Sequence, residues 1–199
     1  MGSSSLLDIL GSLIIGGMLT LMVINVNGNL TKVSYNSGSE MTVQRNLVTL
    51  AGMIEQDFRR IGYCSVPLKF PDPTKALLLA TQHSIKFIAD YNADGNLDTI
   101  YYYLGDTASA RFTRNPKDML LYKQINSTKP YGYNLGVVNF DFTYFNAQTD
   151  SLTFPIVTPS SIYSFRLSIL LESPDAYDST YQYAYWRQLR LSAINLRNR

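Results

Sequence analysis

Residues 4–26, "SSLLDILGSLIIGGMLTLMVINV", carry one charged side chain, Asp8, and no other charge follows until Lys32. A helix needs roughly 20 apolar residues to cross the hydrocarbon core of a bilayer. Leu6 through Val26 meets that length. The run predicts a helix that spans a membrane or packs among helices like itself. A secretory signal peptide would have a basic start and a shorter apolar region; no Lys or Arg precedes this one. Leu6 stands where N-myristoylation wants Ser or Thr.

Within the run, Gly11, Gly16 and Gly17 are unusual for a solitary anchor. Small residues let helices approach closely where lipid offers no hydrophobic drive. Gly16 and Gly17 are therefore the expected contact points of an assembly face. Asp8 has two readings. At the interface it caps the positive end of the helix dipole. In an assembly it pairs with the free amine of a neighbouring subunit.

The chain then changes character. "NVNGN", Asn25 to Asn29, is expected to weaken the helix as it leaves the apolar run. Leu47, Ala51, Ile54, Phe58 and Ile61 then recur at helical spacing as one apolar stripe, and Glu55, Asp57, Arg59 and Arg60 are placed off it. "IGYC" at Ile61–Cys64, followed by Pro67 and "FPDP", reads as the helix end.

From Ser84 onward the period becomes two. "SIKFIAD", "TIYYYL", "MLLYKQI", "VVNFDFTYF", "IYSFRLSILLE" and "YQYAYWRQLRLSAI" read as strands, separated by turn clusters. The fourth strand is expected to turn Val138, Phe140, Phe142 and Tyr144 one way. The fifth groups Tyr163, Phe165, Leu167, Ile169 and Leu171. Consecutive strands with short turns predict an antiparallel sheet with one covered face. The Phe58 stripe is the natural cover, so the expected class is α+β. The expected division is 1–30 as a membrane or filament-core half-helix, 31–64 as an amphipathic half-helix, and 65–199 as a β-rich head.

Composition narrows the function classes. The chain has 199 residues, 46% hydrophobic and 16% charged, with net charge +2 and scattered cations, so nucleic acid is not an expected partner. One Cys, Cys64, excludes an internal disulfide and reads as a small buried hydrophobe. One His, His83, cannot build a His-rich zinc site and reads as a turn or surface residue. Trp186 reads as core or interface. No nucleophile–base set, phosphate loop or dinucleotide fingerprint is present, so an enzyme is not expected. Asn29 and Asn126 fit the glycosylation tripeptide, a pattern common by chance.

"DYNADGNLD" offers side-chain oxygens at Asp90, Asn92, Asp94 and Asp98, with Gly95 for a sharp turn, like the first half of an EF-hand loop. Asn96 would lend a backbone carbonyl. The twelfth position is Tyr101, and the flanks are strands, so this is no EF-hand. It reads either as a calcium loop completed from elsewhere or as a metal-free Asn/Asp/Gly turn.

This organisation resembles the type IV pilin-like proteins, of the minor pilin or pseudopilin kind. "SSLLD" before an uncharged run is similar to the family's start, with Asp8 standing for an early glutamate. "LAGMIEQDFRRIGYC", Leu50–Cys64, is similar to the helix end of the subfamily that caps such filaments. "RQLRLSAINLRNR", at 187–199, is similar to that subfamily's closing strand. The resemblance implies a subunit that waits in the inner membrane and then joins other pilin-like subunits in a helical bundle, heads outward. It also implies leader processing. A cut after Gly2 would leave Asp8 one place later than the family pattern, and a cut after Ser3 would restore its place. The competing expectation is a membrane-tethered binding module that uses the Tyr-rich sheet and the calcium-like loop for adhesion.

Overall fold

The computed structural model describes residues 2–70, 72–175 and 182–191. Its elements are a helix α1 (Gly2–Arg59) and strands β1 (Leu77–Ala80), β2 (Ser84–Ala89), β3 (Asp98–Leu104), β4 (Met119–Ile125), β5 (Tyr131–Phe145), β6 (Ser164–Glu172) and β7 (Tyr183–Leu191). The chain divides into two units, Met1–Ser39 and Glu40–Arg199.

The first unit is helix alone. It passes through Asn25–Asn29 without a break, against the weakening expected there. A glycine costs a helix interior about 1 kcal/mol. That is too little to open hydrogen bonds continued on both sides, and the Thr31 hydroxyl adds a bond to the Asn27 carbonyl at 2.9 Å.

The second unit is an α+β head. All seven strands lie in one antiparallel sheet in chain order. The last turns of α1 lie on one face of it. Val43, Leu50, Ile54, Phe58 and Ile61 are buried, as is Ala51, while Leu47 packs partly buried against them. Phe58 is the centre of this seam. Its ring meets Tyr102 at 5.5 Å, Phe165 at 5.5 Å, Phe87 at 5.7 Å and Phe142 at 6.0 Å. The contacts with Tyr102, Phe165 and Phe87 are edge-on and that with Phe142 is tilted; edge-on aromatic pairs add about 0.5–1.5 kcal/mol each to burial alone. The opposite sheet face carries part of the tyrosine complement: Tyr101, Tyr103 and Tyr122 stack at 4.8 and 5.0 Å.

Three expectations need correction. Strand β1 was not anticipated; "LLLA" is too short to display a period. Strand β5 begins at Tyr131 rather than Val137, and its inward set is Val137, Phe140, Phe142 and Tyr144. Val138 does not belong to that set, because the pairing with β6 shifts register between Val137 and Asn139, and a bulge reverses the alternation. Tyr163 precedes β6 and is half-buried, while its neighbour Ile162 is buried. Trp186 packs partly buried against the core. The expected last strand runs to Ile194, and its part beyond 191 lies outside the described residues.

Gly136 makes the bulge feasible. Its φ is +79°, and a Cβ there would come 2.1 Å from the Glu172 carbonyl oxygen on β6. Gly136→Ala is therefore expected to destabilise the head by roughly 2 kcal/mol or more, from left-handed strain plus a main-chain clash. Urea unfolding of the variant checks this, and an unchanged midpoint would refute it.

Candidate functional site

Among the described residues, three places carry chemistry beyond packing. The first is the apolar rod. Leu6 through Val33 contains the large apolar side chains Leu10, Leu13, Ile14, Met18, Met22 and Val26, all between 57% and 71% exposed. By length and composition this helix can cross a membrane, and its apolar window buries nothing within the chain. Asp8 lies exposed at the start of the run. Gly16 and Gly17 sit two turns further on, with no atom within 4 Å of where a Cβ would stand. They leave shallow places along the rod. The backbone there remains closed: the Thr20 hydroxyl donates to the Gly16 carbonyl at 2.8 Å. Gly2 and Ser3 are helical, in the first turn of α1.

The second place is the loop after β2. The structure brings Asp90, Asn92, Asp94, Asn96 and Asp98 into one turn, but their oxygens meet donors of the chain itself. Asp90 is buried. One of its oxygens accepts from the Ser65 hydroxyl at 2.6 Å, the Ser65 N–H at 3.0 Å and the Gly95 N–H at 3.0 Å; the other accepts from the Asp94 N–H. Asp94 accepts from the Asn96 N–H and the Asn92 amide. Asn96 accepts from the Lys69 ammonium at 3.1 Å. Asp98 accepts from the Tyr91 N–H and the Asn126 amide.

The bond from the Ser65 hydroxyl, with those from nearby N–H groups, holds the Asp90 carboxyl below its usual range against the opposing effect of burial. The Asn96 N–H does the same for Asp94. The loop thus ties the helix exit to the sheet. Gly95, at φ +80°, lies so close to Val66 that a Cβ would reach Val66 Cγ2 at 2.8 Å. Among the described residues, no three His, Cys, Asp or Glu side chains gather as a metal-holding group. Asn126, of the second tripeptide, spends its amide on Asp98 and on the Thr99 N–H, at 2.7 and 2.8 Å.

The third place is one that pattern reasoning missed. Asp57 was expected on the solvated side of α1, yet it is only 5% exposed. Its carboxylate accepts from the Lys123 ammonium on β4 and from the Tyr102 hydroxyl on β3. Lys123 also donates to the Tyr91 hydroxyl at 3.1 Å and stands 4.5 Å from that ring's centre. Arg60 closes the edge by donating to the Tyr91 carbonyl at 2.7 Å.

Burial alone would pull the Lys123 pKa down. Its bonds to Asp57 and Tyr91 outweigh that and raise it. Burial first, then the Asp57 charge, pushes the Tyr102 hydroxyl far above its ordinary value. The signal available in the sequence was slight: a lone Lys at an inward position of β4, two residues from buried Leu121.

The other singled-out residues are structural. Cys64 is buried, with its thiol 3.9 Å from the Gly95 carbonyl. His83 sits just before β2, its Nδ1 2.8 Å from Asp141. No family model and no curated protein matches this chain.

Removing one partner of a buried ion pair strands the other. Asp57→Ala should therefore cost about 3–5 kcal/mol, whereas Asp57→Leu with Lys123→Met and Tyr102→Phe should be near neutral. The alkaline side is a second check. Both raised groups hold their protons in the fold beyond the unfolded values of about 10.4 for Lys and 10 for Tyr. Their contribution is whole below pH ~10 and is lost as pH climbs through the folded values. Stability measured by urea midpoint should fall above pH ~10, and less steeply in the triple variant.

Proposed function

We propose that this protein is a structural subunit of a filament of the type IV pilus or secretion-pseudopilus kind, assembling through its apolar N-terminal helix. One observation carries the reading. The head closes its own core with the Glu40–Arg59 part of α1, while no residue in the apolar window of the helix before it is buried. A rod of that kind needs lipid or sister rods. A bilayer serves before assembly and a bundle of like helices serves after it; on this reading the protein waits in the inner membrane by a single span and then joins an extracellular or periplasmic filament. The pilin-like segments described above favour the same reading, and the role is non-enzymatic.

A second reading is a membrane-anchored module whose head binds a ligand through calcium at Asp90, Asn92, Asp94, Asn96 and Asp98. It is favoured by the exposure of Asn92, Asp94 and Asn96 at alternate loop positions. Calcium would have to displace the bonds that these groups now accept.

Mechanical shearing of cells, followed by immunoblotting and electron microscopy of the released material, tests the first reading. A filament subunit appears in the sheared fraction as fibres. A tethered module stays with the membranes. For the second reading, a rise in melting temperature at millimolar calcium would support the loop site, and a flat response would remove it.

A further inference from the structure

The apolar rod is bounded by two opposite charges. Asp8 is the first charged residue of the chain and Lys32 the second, and both are exposed. Because α1 runs unbroken between them, simple helix geometry fixes their separation at about 36 Å along the axis and about 240° around it.

We propose that a second copy of this chain docks in parallel along the rod, shifted by about 36 Å, so that Asp8 of one copy pairs with Lys32 of the next. The inference rests on the assembly reading and names the contact that sets its stagger. Three features argue for it. A carboxylate drawn among apolar helices is strongly disfavoured without a partner. A parallel neighbour offers only uncharged side chains over residues 9–31, and Lys32 is the first cationic side chain that a stagger can bring to Asp8. The next, Arg45, comes 13 residues later in the chain.

The angular offset matters as much as the distance. In a parallel pair shifted this way Asp8 of one copy meets Lys32 of the next but the reverse contact cannot form, so the pairing is heterologous, and the two charges face different sides of the helix. Each copy uses Asp8 toward one neighbour and Lys32 toward another, which generates an open array rather than a closed pair. Gly16 and Gly17 lie between the two charges, where close approach of neighbouring backbones is least obstructed.

Charge exchange in the full-length chain, expressed in its own cells, tests the pairing. Asp8→Lys and Lys32→Asp alone should each lower the sheared filament yield at least tenfold. Together they should restore most of it, with equal amounts of all chains in the membrane fraction. Single variants that assemble normally, or a double variant as poor as the singles, would overturn the pairing while leaving filament assembly intact. If only Asp8→Lys fails, the partner of Asp8 is another group, such as a neighbour's amine, and the pairing is likewise overturned. A wild-type chain that yields no filaments removes the assembly reading itself, and the pairing with it.

Discussion

The seating of Phe58 in the sheet is the contact on which the rest of the head depends. Four strands, β2, β3, β5 and β6, present a ring to it. None of those rings would be dry without the helix above them. A sheet of this kind has one face that must be covered, and a helix of this length has one stripe that must be buried. The two requirements meet at this seam.

Around that apolar seam the chain places two polar ties, one on each side of the helix end. Asp57 reaches Lys123 and Tyr102 inside the interface. Asp90 reaches back from the β2 loop to Ser65 after the helix. Both carboxylates are buried and accept bonds from donors of the chain. Their energetic characters differ. The inner pair has lost nearly all its water, so its net contribution is small although its disruption is expensive. The Asp90 knot combines local bonds from the Asp94 and Gly95 N–H groups with bonds from the Ser65 hydroxyl and N–H, so it locks a turn and fastens it to the helix exit. Between them they define where the helix ends and how it leaves the sheet.

The two halves of α1 consequently follow different physics. The Glu40–Arg59 part is selected for shape, with each inward side chain matched to strands already in place. The Leu6–Val26 run before it is selected for composition, being mostly apolar, which suits lipid or like helices equally. Charges stand at Asp8 and Lys32, with amides at Asn25, Asn27 and Asn29, and the hydroxyls of Ser12, Thr20 and Thr31 bond back to carbonyls of the helix itself. This division explains how the helix stays continuous through a stretch rich in Asn and Gly: nothing packs there whose loss would repay breaking it.

Local patterning alone settled the class of this fold. The charge-free run, the 3–4 stripe at Leu47–Ile61 and the alternation from Ser84 onward each report a period that neighbouring residues impose on one another, so they can be read without knowing what lies opposite. Most strands were legible for that reason, and so was the loop at Asp90–Asp98 as a turn. Tertiary structure decided what depends on a partner distant in sequence. It turned Asp57 inward because Lys123, 66 residues later, waits there. It reversed Val137 and Val138 because Gly136 lets β5 bulge against Glu172. It gave "LLLA" a strand because β2 offered an edge. It also gave the oxygens of the Asp90 loop protein donors from Ser65, Lys69 and Asn126. Charge, bulge and edge are properties of pairs, and a period along one strand of chain contains no record of the second member.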